Sequence, residues 1–270
     1  MGSGDPYGRQ LNGMGGGISS LSKICVVSRS DRRDADVEYT FIQVGIENET
    51  LDMAGNCGNM SAAVAPFALD EGLISTSAIK NGLSHEQAQN FLTVRMFNTN
   101  TSKISHSRIA VMPIGDAFRY QPKGDFSIDG VSGKASPIAI SFLDPAGSKT
   151  GKLLPSGNVL DHLSLLDGSV IPASLVDCAN PAVFIRASDV GVKLPCAGSV
   201  LDGDQTLMMK LEDIRRVGAM RMGLDPDVRS IPKILLLAEP AGEDIDIRTL
   251  ALSMGRCHKA VPLTHSLNLG

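Results

Sequence analysis

The chain has 270 residues, of which 43% are hydrophobic and 20% charged, and its 25 Lys and Arg against 29 Asp and Glu leave a net charge of −4. These values are globular and exclude a disordered or fibrous chain, and the mild acidity lacks the clustered cations of a nucleic-acid surface. No run approaches the ~20 apolar residues of a membrane span, and residues 1–10 have neither the basic region nor the apolar run of a secretory signal. Five cysteines (Cys25, Cys57, Cys178, Cys196 and Cys257) are odd in number, far apart and never in CxxC spacing. They predict neither a disulfide framework nor a zinc knuckle, and a reducing, cytoplasmic setting follows.

In chain order, the first feature is Gly13-Met-Gly-Gly-Gly-Ile-Ser-Ser-Leu-Ser-Lys23. Successive glycines and serines before a strand predict an anion nest. The spacing misses GxGxxG at its last position and no strand precedes it, so it does not read as a dinucleotide site. Lys23, where the loop enters its strand, is a candidate base or carboxylate partner. A strand over Lys23–Val27 is followed by an alternating strand over 34–44, then by a Gly55-Asn-Cys-Gly-Asn59 knot and an apolar helical segment that Pro66 should kink. A cysteine at a helix start faces unpaired N–H groups, which favour thiolate and can hold a carboxylate. Residues 91–97 and 103–112 flank a polar turn at 98–102 and predict a hairpin.

Ala146-Gly-Ser-Lys-Thr-Gly-Lys-Leu153 nearly matches a phosphate-binding loop, but Leu153 stands where the magnesium-binding hydroxyl is needed. Nucleotide triphosphate binding is rejected, while Lys149 and Lys152 still suit an anionic substrate. Residues 204–222 form the clearest helix, with Leu207, Leu211, Ile214, Val217 and Met220 on one face and Gly223 as its stop. Arg256-Cys-His-Lys259 gathers cationic and nucleophilic groups, and no His, Cys and carboxylate cluster has metal-ligand spacing.

The chain also repeats itself. Lys23–Val27, the alternating run to Val44 and the Cys57 knot correspond to residues 232–239, the alternating run 242–252 and residues 254–260. Two copies predict two similar α+β domains facing across a cleft, 1–134 and 135–270. The first copy lacks its front strands, and the second stops at Gly270 where its helix would begin, so the fold reads as incomplete at both ends.

These segments resemble the PrpF, or methylaconitate isomerase, family, which includes methylitaconate isomerases, oxalomesaconate tautomerases and aconitate isomerases. The resemblance rests on residues 5–23, 34–44, 55–69 (GNCGNMSAAVAPFAL), 142–158 (FLDPAGSKTGKLLPSGN), 211–224 and 256–264 (RCHKAVPLT). It implies two pseudo-symmetric diaminopimelate-epimerase-like domains with the site between them. The implied reaction is a cofactor-independent allylic proton shift in a small unsaturated carboxylate. It further implies that Lys23 and Cys57 are catalytic, Lys23 as principal base. Candidate substrate contacts are Gly15, Gly16, Ser20, Ser22, Asn56, Gly58, Asn59, Ser148, Lys149, Thr150, Lys152, His258 and Lys259. Neither nucleic acid nor membrane is an expected partner, and a homodimer is compatible with the reading. The family's Arg-Gly-Gly-Thr-Ser-Lys-type loop is absent, and Thr264-His-Ser266 replaces its Thr-Gly-Ala. Two other readings stay open: a silent homologue that binds anions or partners, and an epimerase-like enzyme using Cys57 and Cys257.

Overall fold

The computed structural model describes residues 1–86 and 89–270. In chain order it forms β1 (Lys23–Arg29), β2 (Val37–Val44), β3 (Leu51–Asp52), α1 (Gly58–Ser61), α2 (Val64–Asp70), α3 (Thr76–Gly82), β4 (Leu83–Glu86), β5 (Gln89–Asn98), β6 (Lys103–Ile114), β7 (Ala117–Tyr120) and β8 (Ile138–Phe142). There follow β9 (Asp161–Ser164), β10 (Val170–Cys178), β11 (Asn180–Arg186), α4 (Gly198–Asp202), α5 (Gln205–Arg221), β12 (Lys233–Ala238), β13 (Arg248–Ser253), β14 (Arg256–Cys257) and α6 (Leu263–Leu269). Among the described residues, an eight-stranded sheet runs β1-β2-β5-β6-β7, with β3 on β2, β4 on β5 and β8 on β6, and a six-stranded sheet runs β14-β13-β12-β11-β10-β9. The α+β class is therefore as expected.

Contacts divide the chain into two compact units. One comprises Met1–Ile24, Ile42–Asn56 and Pro145–Gly270, and the other Cys25–Phe41 and Cys57–Asp144. This differs from a single cut between 134 and 135. Hydrogen bonding explains why the early segments belong with the later ones. Val44 N donates to Ser22 O at 3.0 Å, and Gln43 Nε2 donates to Ser19 O and Ser22 O. Ser230 Oγ in turn donates to Asp52 Oδ1 at 2.8 Å. A linear reading of the repeat cannot see these pairings, because the partners lie up to 178 residues apart.

In the second unit, β5 and β6 form the expected hairpin, with Asn98 opposite Lys103 across the polar turn. Helix α2 lays Val64, Ala65, Ala68 and Leu69 on Tyr39, Leu92, Val94, Met96 and Ile109 of the sheet. The kink expected at Pro66 is instead a break before it: α1 ends at Ser61 and α2 restarts at Val64. Pro66 thus falls in the first turn of α2, where its missing N–H has no helical acceptor to lose.

In the first unit, β11 and β12 are parallel while the other pairings are antiparallel. Parallel neighbours need a crossover, which α4 and α5 supply. Asp204 caps α5 by accepting from Leu207 N at 3.0 Å, and Gly223, at φ +74, ends it. Leu211 and Ile214 are buried as expected, whereas Met220 is 57% exposed. Gly218 and Met222 take the inward stripe, and position 220 lies about 200° of helix away from each. The helix closes on the sheet at Gly218, where a Cβ would stand 2.6 Å from Val183 Cγ2. A short helix, α6, is present at Leu263–Leu269, which corrects the expectation that the chain stops before one.

Arg215, on α5, is 4% exposed. It pairs with Glu212 and donates to the carbonyls of Pro226, Val228 and Ile231. A buried guanidinium holds such a loop only while every partner is met. Arg215→Ala should destabilise the protein by about 3 kcal/mol in urea denaturation, since it strands three carbonyls and Glu212. A loss below 1 kcal/mol would show that the loop holds itself.

Candidate functional site

The Gly/Ser loop that precedes Lys23 is organised by Gln10, which is 1% exposed with φ +54. Its Oε1 accepts from Gly17 N at 3.0 Å and from the Ser22 hydroxyl. A Cβ on Gly15 would stand 2.3 Å from that oxygen, so only glycine fits there. The nest that the sequence predicts is therefore filled by the protein's own amide oxygen. Ser22, expected to contact substrate, is fully buried, and its hydroxyl donates to Gln10 Oε1 instead. Gly16 and Ser20 stay exposed, and Lys23 opens β1 half-buried.

Loop 146–152 has the same character. Asp177 is fully buried. Its Oδ1 accepts from Ser148 Oγ, and its Oδ2 accepts from Lys149 N, Thr150 N and Thr150 Oγ1 at 2.7–2.9 Å. These donors, predicted to hold a substrate anion, hold an internal carboxylate. Ser148 and Thr150 are corrected to structural roles, as is the backbone of Lys149. Lys152 is exposed beyond them.

The knot at 55–59 is set by close packing and by one side-chain amide. A Cβ on Gly55 would stand 2.9 Å from Ile231 Cγ2. Asn56 is buried, and Asn180 pairs with its backbone at both N–H and C=O. Cys57 takes extended geometry as the residue before α1, and its carbonyl accepts from Ser61 N and Ser61 Oγ. Ser61 Oγ in turn meets the Tyr39 hydroxyl at 2.8 Å. Gly58 is buried and Asn59 exposed. Sequence reasoning missed Cys25. Burial pushes this thiol up to about 12, and the neighbouring Cys57 adds to the shift. Nothing but strand register could have marked it, because Cys25 and Cys57 are 32 residues apart.

The third cluster follows the β13–β14 hairpin, whose turn residues Met254 and Gly255 both have positive φ. The correspondence with the Cys57 knot expected for 254–260 is thus a two-residue hairpin turn. His258 Nδ1 lies 2.6 Å from Ala260 O. A carbonyl can only accept, so Nδ1 carries the proton and Nε2 the lone pair. Burial lowers the pKa of His258, and the charges of Lys233 and Lys23 lower it further. Lys259 is exposed. His265 is fully buried on α6, with Nδ1 at 3.2 Å from Thr264 Oγ1. Burial holds it far below the ordinary imidazole range, with Lys233 and His258 adding to the effect. Lys23, Lys233, His258 and His265 therefore form one electrostatic neighbourhood. Cys257, offered as a second thiol acid, is pushed up to about 12 by burial and by its hydrogen bond to Asp202. That keeps Cys257 a protonated thiol.

Two histidines with depressed folded-state pKa values stay neutral in the fold and become protonated when it opens. Their stabilising contribution is full above about 6.5, the unfolded value, and is lost as pH falls below it. Urea unfolding should show stability falling from pH 7.5 to 5, with a limiting slope of about 1.4 kcal/mol per pH unit for each suppressed proton. His265→Gln should flatten that profile; an unchanged slope would assign the effect elsewhere.

Comparison with known proteins places these features in context. The family model described as PrpF protein matches residues 1–270. The 2-methyl-aconitate isomerase of Shewanella oneidensis is 36% identical, over 100% of this chain and 70% of its own length. The 4-oxalomesaconate tautomerase of Pseudomonas putida is also 36% identical, over 96% and 66%. The crystal structure of a methylitaconate-delta-isomerase superposes with a TM-score of 0.69 at 33% identity, covering 97% of this chain and 68% of that one. A hydroxyproline epimerase from Agrobacterium vitis, at 12% identity, shares the fold with a TM-score of 0.53 over 99% of this chain and 65% of its own.

Proposed function

Because this chain belongs to the PrpF protein family, we propose that it is a cofactor-independent isomerase that moves a proton and a double bond within a small unsaturated di- or tricarboxylate. The observation that carries this reading is the family match over all 270 residues. Relatives at 36% identity named isomerase and tautomerase support the reaction class. Those names do not favour a silent homologue.

In the proposed reaction, Lys23 removes an allylic proton. The developing charge spreads into the conjugated carboxylate, and the proton returns at the far carbon of the allyl unit. Once protonated, the Lys23 ammonium balances the enolate-like charge, and Lys233 adds a second cation in the same neighbourhood. His258, whose pKa is lowered by burial and by the charges of Lys233 and Lys23, is a further candidate proton acceptor. Cys57 acts as the second acid/base or shapes the site. Five free thiols suit a reducing compartment, which we take to be the cytoplasm.

The test is deuterium wash-in, followed by NMR, with aconitate, methylaconitate, methylitaconate and oxalomesaconate isomers in deuterated buffer. At least one should exchange, and Lys23→Ala should slow that exchange by about 10²-fold or more, the usual worth of a positioned base. A folded protein that exchanges none of the four would refute the reading. In Cys57→Ser, a comparable loss assigns proton transfer to the thiol, and near-normal exchange assigns it the shaping role.

A further inference from the structure

Tyr39 stands on β2, in the second unit, and belongs to the apolar core that includes Val94, Met96 and Ile109. Only 1% of it is exposed. Phenylalanine would fill the same space, so what tyrosine adds there is a hydroxyl, and a buried hydroxyl costs free energy unless it is partnered. Its oxygen lies 2.8 Å from Ser61 Oγ, on the single turn of α1, and Ser61 is fully buried too. Ser61 Oγ in turn lies 3.1 Å from the Cys57 carbonyl oxygen. That carbonyl can only accept, so the one Ser61 hydroxyl proton is directed to it, and the Tyr39 hydroxyl donates to Ser61 Oγ. A directed chain of two hydrogen bonds therefore runs from β2 through α1 to the backbone of Cys57.

Ser61 N also donates to Cys57 O, at 3.0 Å, but that bond belongs to α1 and moves with it. A four-residue helix has little stability of its own, so its place over the sheet comes from side chains. The Tyr39 hydroxyl ties α1 to a sheet strand, and β2 is held between β1 and β5. Cys57 is extended, at φ −120 and ψ 102. Its carbonyl and its Cβ share one Cα, so fixing the carbonyl fixes the direction in which the thiol leaves the backbone, and χ1 alone remains to be chosen. Catalysis is steep in position, since a misplacement of ~1 Å can cost about 10²-fold. We infer that Tyr39 and Ser61 are positioning residues for Cys57, tying its backbone to the sheet through their paired hydroxyls. The inference rests on the isomerase reading for what Cys57 does, but not for how it is held.

The test uses two readouts on the full chain. Alkylation of Cys57 by iodoacetamide, followed by mass spectrometry of its peptide, needs no turnover, whereas the deuterium exchange described above does. In Tyr39→Phe and in Ser61→Ala, Cys57 should be alkylated about fivefold faster, the factor that one net hydrogen bond puts on a local opening. Exchange in the same variants should fall about tenfold in kcat with KM little changed. The double variant should match the larger single effect, because the two hydroxyls form one chain. Ile109→Val trims the same core without touching that chain and should leave both readouts at parent values. Thermal melts of every variant report folding, and two separate hydroxyl variants keep the test valid if one fails to fold. Alkylation that is not faster in both single variants, additive effects in the double variant, or equal changes in Ile109→Val would overturn the inference. So would unchanged exchange in both single variants of a parent that exchanges. A parent that exchanges no substrate while alkylation responds as expected would refute the isomerase reading and leave the positioning role standing.

Discussion

The carboxamide of Asn180 presents itself to the backbone of Asn56 as a neighbouring strand would, accepting from the N–H at 3.0 Å and donating to the C=O at 2.5 Å. Both residues are buried, so each of these groups would carry a desolvation cost without the other. Asn180 also reaches Thr264 Oγ1, and Asn268 donates to Asn180 O and accepts from Cys178 N. One side chain thereby ties together the residue before Cys57, the β10–β11 turn and α6. No hydrophobic contact would fix these three segments in register, because apolar packing is not directional. The backbone leading into Cys57 and the helix carrying His265 both take their positions from this amide.

A second pattern runs through the loops. Gln10 fills the glycine loop before Lys23, and Asp177 fills the loop at 146–152. Both loops read in the sequence as cradles for an outside anion, and both are cradles, but the acceptor is built in. Composition shows that a run of small residues turns its N–H groups inward; it does not show what they meet. The acceptor in one case is three residues upstream of the loop, and in the other more than twenty-five residues downstream on another strand. The Ser22 and Ser148 hydroxyls and the N–H and hydroxyl of Thr150 meet these built-in acceptors.

What was legible had local causes. The hairpin at 98–103 follows from alternation around a polar turn, and α5 follows from a capping Asp204, a 3.6-residue period and a terminal Gly223. The misplaced Met220 shows the limit, since several stripes on one helix carry enough apolar residues and only the facing sheet selects among them. The repeat located matching strands in the two halves, β1 and β2 against β12 and β13. It did not predict that residues 1–24 and 42–56 would pack with the later half. That depended on hydrogen bonds between segments with no shared periodicity. Lys23 and His258 were both legible as chemistry-bearing residues, whereas the Ala260 carbonyl that fixes the tautomer of His258 was not.

The closeness of α5 to its sheet has an evolutionary corollary. Position 218 has no room for a methyl group while Val183 keeps both of its own. In descendants and cousins of this chain the two positions should change together: alanine at 218 accompanied by alanine or glycine at 183, and valine at 183 retained only where 218 is bare. Such covariation would be written into the lineage by steric exclusion alone, with no contribution from catalysis.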